Sequence, residues 1–296
     1  MNISAQHPFF FFHIPKTAGS TLQGILLPLV LAATEKDSAV LAGRGHCEAA
    51  LTHDAGFSRA VKLCTSRGLF FGTYTADSAF DRYPLPVRRN KTACASVFFN
   101  HFSPAPLFAA LRALDSDATR RWDPEHLANI WGGNPELPSP SAVRWILERS
   151  MCVTILRDPA LRSISYYYEF VYRHSSNLSA AQSVAQFGMD AFVRLTMPRA
   201  QTGWLGPSYE HATAVVDSCI VGITERFEEL LDVLAHVVPM VTSSKTRQRG
   251  HSTGLLQTET NAQKDALVAG LRAHPLLADD YRLYRYAITV SAARLL

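Results

Sequence analysis

The sequence predicts an α/β fold, a parallel β-sheet flanked by helices on both faces, in one domain covering residues 1–296. Three observations predict it. Continuous apolar runs at Phe9–Ile14, Met151–Leu156 and Cys219–Ile223 read as strands buried on both faces, as parallel strands are. Each run is followed by a short turn and then a helix-compatible segment, the order of a βα unit. No Pro/Gly/Ser-rich linker, low-complexity tract or internal repeat divides the chain.

The first run lies between Pro8 and Pro15, and the small-residue turn Pro15–Thr21 leads into an apolar segment, Leu22–Ala33. Gly68–Thr75 and Ala95–Phe102 are the next expected strands. Helical patterns follow at Leu107–Leu114 and Ala142–Arg149, with a surface loop between them from Trp131 to Pro140. After Met151–Leu156, Asp158 suits a helix N-cap and Pro159 the first helical position, for a helix from about Ala160 to Tyr172. A polar stretch then runs to about Ser179, before helical pieces through Ala191–Met197. Past Cys219–Ile223, Phe227, Leu230, Leu231 and Leu234 recur at helical spacing. Ser243–Gly254 is a polar, basic loop, and two helices close the chain at about Asn261–Ala273 and Asp280–Ala293.

With 47% hydrophobic and 18% charged residues, the chain has ample material for a core. A net charge of +4 suits an anionic ligand but is far below the density of a nucleic-acid binder, so no nucleic-acid partner is expected. The densest basic cluster, Arg88-Arg89-Asn90-Lys91, reads as a solvated loop. The five cysteines lack metal-ligand spacing, so no metal site is expected. Cys152 and Cys219 read as buried thiols, while Cys47, Cys64 and Cys94 are free to pair in an oxidising compartment. The apolar stretch Ile25–Ala33 is too short to span a bilayer, which takes about 20 residues. Phe9–Phe12 lacks the flanks of a signal peptide. The expected setting is the cytoplasm, or the lumen as the trimmed domain of a longer Golgi-type protein.

The turn after the first strand carries the most chemistry. A helix N-terminus presents N–H groups and a positive dipole end to an anion. Ala18, Gly19 and Ser20 allow close backbone approach, Thr17, Ser20 and Thr21 add hydroxyls, and Lys16 adds a mobile positive charge. A sheet carrying such a loop is of the P-loop type. The kinase version is GxxxxGK[ST], with lysine after the glycines and a hydroxyl on Mg²⁺. Here the lysine precedes the glycine and no such element occurs.

His13-Ile-Pro-Lys-Thr-Ala-Gly-Ser-Thr-Leu22 resembles the 5′-phosphosulfate loop of sulfotransferases that use 3′-phosphoadenosine-5′-phosphosulfate (PAPS). The wording is similar to the family of heparan sulfate 2-O- and 6-O-sulfotransferases. Ile155-Leu156-Arg157-Asp158-Pro159 through Ser165-Tyr166-Tyr167-Tyr168 resembles that family's 3′-phosphate signature, an arginine ending a strand and a serine eight residues on. A strand-end arginine suits this role without the family, because its planar fork matches a phosphate. Arg162 is expected to pair with backbone or an acid, and Tyr166 to Tyr168 to pack. Gln201–Leu205, Val221–Phe227 and Asp280–Tyr284 resemble three further segments in the family's order, with Arg199 where asparagine is common.

The resemblance implies His101, in Asn100-His101-Phe102, as the base; relatives carry glycine where Asn100 stands. A histidine suits the task because its pKa lies near working pH. His13 is expected to organise the loop. Lys16 would stabilise the leaving phosphosulfate oxygen. Arg247, Arg249 and Ser252 in the late basic loop would close over the nucleotide. The expected activity is metal-independent transfer of a sulfuryl group from PAPS to a hydroxyl of a carbohydrate or small natural product. A phosphotransferase with an atypical loop and a silent nucleotide-binding module are the alternatives.

Overall fold

The computed structural model describes residues 9–19, 21–22, 25–26, 69–71, 97–99, 138–173, 177–196, 200–237 and 259–293. Among these, β1 (Phe9–Phe12), β2 (Leu69–Phe71), β3 (Val97–Phe99), β4 (Met151–Leu156) and β5 (Ile220–Ile223) form one sheet. Every pairing is parallel, in the spatial order β2-β3-β1-β4-β5. β1 and β4 lie at the centre and all their side chains are buried, which is why their sequences do not alternate. The polar Thr154 is accommodated by donating its hydroxyl to the Phe12 carbonyl at 2.9 Å.

The described helices are α1 (Pro140–Glu148), α2 (Pro159–Tyr166), α3 (Ala180–Phe187), α4 (Met189–Thr196), α5 (Gln201–Leu205), α6 (Tyr209–Ser218), α7 (Phe227–Val237), α8 (Asn261–Arg272) and α9 (Ala278–Ala293). They lie against both faces of the sheet. Phe10, Phe12, Leu156 and Ile223 pack with Ile146 of α1, Val215 of α6 and Leu283 of α9. Gly222 alternates with these residues on β5, and a Cβ there would meet Leu230 of α7 at 2.3 Å. The opposite face therefore carries α7, at a distance that only glycine permits.

Local chemistry sets the helix starts. Asp158 caps α2, accepting from the N–H groups of Ala160 and Leu161, with Pro159 next in line. Reciprocal capping boxes open α3 at Ser179 and Gln182, and α8 at Thr260 and Gln263. The helix expected as far as Tyr172 changes character instead. Tyr167–Tyr172 is π-helical, a winding that is rare and frequent at functional sites. Tyr167 and Tyr168 are buried in a second core with Ile164, Phe192, Leu267 and Leu271. α6 had no clear sequence signal, because its Ala- and Val-rich length is buried on more than one side.

The reading of Cys152 and Cys219 as thiols is corrected: they form a disulfide, with their Cα atoms 4.7 Å apart. Val153 pairs with Ile220, so the residues just before them face each other across neighbouring strands. That register was not visible in two cysteines 67 residues apart. In the chain-entropy view a loop of this length stabilises the fold by about 4 kcal/mol. Reduction, or Cys152→Ala with Cys219→Ala, is expected to lower unfolding stability by about that amount in urea titrations. A change under about 1 kcal/mol would show that the crosslink adds nothing to stability. Among the described residues no helix is long and apolar enough to cross a membrane.

Candidate active site

The sheet order determines where a ligand fits. From β1 the chain proceeds to β2 on one side, and from β4 it proceeds to β5 on the other. The loops after these adjacent strands therefore part, and open α/β sheets bind ligands in such a crevice. The loop after β1 carries Lys16 to Gly19, and the residue after β4 is Arg157.

The β1 loop is tightly held. Thr17 Oγ1 donates to the Ile14 carbonyl at 2.8 Å, Arg162 Nε to the Pro15 carbonyl at 3.1 Å, and Arg157 Nη1 to the Lys16 carbonyl at 3.1 Å. Three successive carbonyls are thus turned toward the protein. Lys16 and Ala18 adopt left-handed backbone, with φ of 70° and 64°. Non-glycine residues adopt it at a cost, and such turns form anion-binding concavities from converging N–H groups. The Thr17 hydroxyl is committed to the turn, which leaves its backbone as the part able to meet an anion. Thr21 and Leu22 donate to the Ala18 carbonyl and begin the next helix.

His13 is buried, stacked on Phe11 at 5.6 Å, and its ring lies where a Gly19 Cβ would be, 1.8 Å away. Gly19 is thus required by the His13 ring. Lys16 forms an ion pair with Glu169 at 3.5 Å. Burial lowers the Lys16 pKa, and the Glu169 carboxylate opposes that shift.

Arg157 is framed from three directions. Its N–H donates to Gln201 Oε1 at 2.9 Å, and Gln201 Nε2 donates back to its carbonyl at 2.8 Å. Gln201 is anchored in turn by Asp280, which accepts from the N–H groups of Gln201 and Thr202 and from the Thr202 hydroxyl. Glu225 Oε1 lies 3.9 Å from Arg157 Nε and accepts from the Asp158 N–H, while Tyr284 donates to its other oxygen. Tyr281 and Arg272 both donate to Asp158. Burial pushes the pKa of Tyr281 and Tyr284 up, and the neighbouring carboxylates add to this, so both remain protonated donors.

Arg162 has no solvent exposure, and burial pushes its pKa down to about 10 against the opposing charge of Asp280. Arg157 Nε and Ser165 Oγ are buried without a hydrogen-bond partner among the described residues, as is Glu259 Oε2. Ser165 lies two turns into α2 and is only 7% exposed.

The structure puts Lys16, Thr17, Ala18 and Gly19 in the loop after β1, with Thr21 just beyond it, and Arg157 at the carboxyl end of β4. Ser165 lies in α2 on the same run of chain as Arg162 and Glu169, which contact that loop. Ser20, His101, Arg247, Arg249 and Ser252 lie outside the described residues, as do Cys47, Cys64, Cys94 and the expected helix at Leu107–Leu114. Sequence reasoning gave no roles to Gln201, Glu225, Asp280, Tyr281 and Tyr284. All five fall in the three segments noted only by resemblance, and the polar residues at element ends were the signal available. No family model matches the chain, and no curated protein matches it.

Proposed function

We propose that this chain is a sulfotransferase of the P-loop-type α/β class, moving a sulfuryl group from PAPS to a hydroxyl of a carbohydrate or small natural product. One observation carries the reading. Arg157, whose Nη1 reaches the Lys16 carbonyl, and Ser165, on the run of chain whose Arg162 and Glu169 contact the β1 loop, each carry a buried polar atom without a hydrogen-bond partner among the described residues. Arg157 Nε meets Glu225 only at 3.9 Å. Orphaned buried polar atoms are costly and call for a ligand. Two anion sites fit a nucleotide phosphorylated at both its 5′ and 3′ ends, whereas ATP carries all its phosphate at the 5′ end.

In this reading the acceptor oxygen attacks sulfur in line with the phosphate oxygen that leaves. The new O–S bond forms as the bridging bond breaks, and the hydroxyl proton passes to His101. The leaving group is adenosine 3′,5′-bisphosphate, whose developing charge is met by Lys16 and the loop N–H groups. Positive side chains and backbone dipoles supply this stabilisation, and the reading calls on no divalent ion.

Calorimetry with adenosine 3′,5′-bisphosphate and 5′-AMP, with and without chelator, tests it. Tight, chelator-insensitive binding that prefers the bisphosphate is expected. Arg157→Ala and Ser165→Ala should each lose about one to two decades in affinity for the bisphosphate, since a hydrogen bond to a charged group contributes about 1.5–3 kcal/mol. Affinity for 5′-AMP should change much less in Ser165→Ala, whose hydroxyl has no other partner among the described residues to lose. Mg²⁺-dependent ATP binding that ignores the 3′-phosphate would instead favour a phosphotransferase.

A further inference from the structure

Arg162, Ser165, Glu169 and Arg173 recur at spacings of three and four along one run of chain from α2 into the π-helical turn. Three of them contact the β1 loop or each other: Arg162 holds the Pro15 carbonyl, Glu169 meets Lys16, and Arg173 meets Glu169 at 3.0 Å. Glu169 divides its carboxylate, one oxygen to Lys16 and the other to Arg173. No part of the proposed transfer uses Glu169, yet its charge opposes that of the expected ligand. A carboxylate at such a place occupies the lysine and repels the ligand, so an anion must displace it to reach Lys16.

We propose that Glu169 is a built-in competitor for Lys16, holding the ammonium in the unliganded protein and yielding it only to an incoming phosphate or sulfate dianion. The proposal rests on the preceding reading only in taking the β1 loop as an anion site. Lys16 is a flexible chain with a large rotamer entropy, and an ion pair restricts it before a ligand arrives. The pair is strong enough to orient and weak enough to exchange, since its side chains are 22% and 33% exposed and therefore screened. Arg173 keeps the carboxylate from following the lysine, so it has a partner when Lys16 turns to the ligand.

The test uses the full chain as wild type, Glu169→Gln, Lys16→Ala and the double variant, with inorganic pyrophosphate and adenosine 3′,5′-bisphosphate as probes. Glu169→Gln removes a competitor and a repulsive charge, so both anions should bind about three- to tenfold more tightly, as expected for a partly screened charge pair. The gain should vanish in the Lys16→Ala background. A merely structural residue would weaken binding on substitution.

A second readout needs no ligand: the pH dependence of Lys16 acylation by acetic anhydride, followed by mass spectrometry. Among the described residues, the charged groups around Lys16 are Glu169 and Arg173 on the π-helical side and Arg157 at the end of β4. Glu169 raises the Lys16 pKa, whereas burial and the two arginines lower it. Glu169→Gln should therefore move half-reaction to lower pH.

Tighter pyrophosphate binding without any preference for the 3′-phosphate would uphold the role of Glu169 and overturn the sulfuryl-transfer reading. Unchanged or weaker affinity in Glu169→Gln, with that preference intact, would overturn the role of Glu169 alone. If neither anion binds any variant, there is no ligand for Glu169 to compete with and the proposal is overturned.

Discussion

His101→Ala is expected to bind adenosine 3′,5′-bisphosphate as wild type does while turning over about 10²–10⁴-fold more slowly, the usual cost of removing a general base. The groups proposed to bind phosphate belong to the β1 loop, α2 and the end of β4, and none of them is replaced in this variant. Lys16→Ala is expected to lose both affinity and rate, because its charge meets the anion in the ground state and more strongly in the transition state. The two variants therefore separate proton transfer from charge stabilisation. Turnover from labelled PAPS, measured across pH, should show an acidic limb in wild type that is missing in His101→Ala. Near-normal turnover by folded His101→Ala protein would remove it as the base. His13, which leads into the β1 loop, is buried against Gly19 and stacked on Phe11, which suits it to packing.

The second large effect is expected in stability. Asp280 is 1% exposed, accepts three hydrogen bonds from the start of α5, and supplies the charge that opposes fully buried Arg162. Asp280→Ala leaves the buried N–H groups of Gln201 and Thr202 and the Thr202 hydroxyl without this acceptor, and each unsatisfied buried donor costs about 1–3 kcal/mol. Asp280→Ala should therefore unfold at much lower urea concentration, with the slope of the transition little changed. Asp280→Asn keeps an acceptor for the N–H groups but removes the charge, so its loss against wild type isolates the charge and the further loss in Asp280→Ala the hydrogen bonds. A loss below about 1 kcal/mol in Asp280→Ala would show that the donors at the start of α5 find other partners. The expected loss also bears on the site. Through Gln201, Asp280 sets the backbone of Arg157, so a folded Asp280→Asn should bind the bisphosphate less tightly.

Much of this architecture is legible in the chain itself. β1 and β4 are pure apolar runs because central parallel strands are buried on both faces, and no polar alternation disguises them. Asp158-Pro159 announces the start of α2 because a cap and a proline at the first helical position act through adjacent atoms. The β1 loop is similarly local: its lysine, its small residues and its hydroxyls are consecutive. Of the runs expected as the next two strands, the described residues Leu69–Phe71 and Val97–Phe99 are strand.

What the tertiary structure decided lies in pairs far apart in the chain. Cys152 faces Cys219 only because β4 and β5 pair in one register rather than another. The Thr17 hydroxyl serves the Ile14 carbonyl, and the carbonyls of Pro15 and Lys16 are claimed by arginines more than a hundred residues away. Gln201, Glu225, Asp280 and Tyr284 are scattered polar residues until folding gathers them around Arg157 and Asp158. Glu169 looks like an ordinary helical surface acid until the π winding and the crossing of α2 past β1 set it against Lys16. The physical reason is one of range. Hydrophobic period, caps and turns act over a few residues and are written consecutively, whereas ion pairs and buried hydrogen bonds depend on distances that only the packed chain defines.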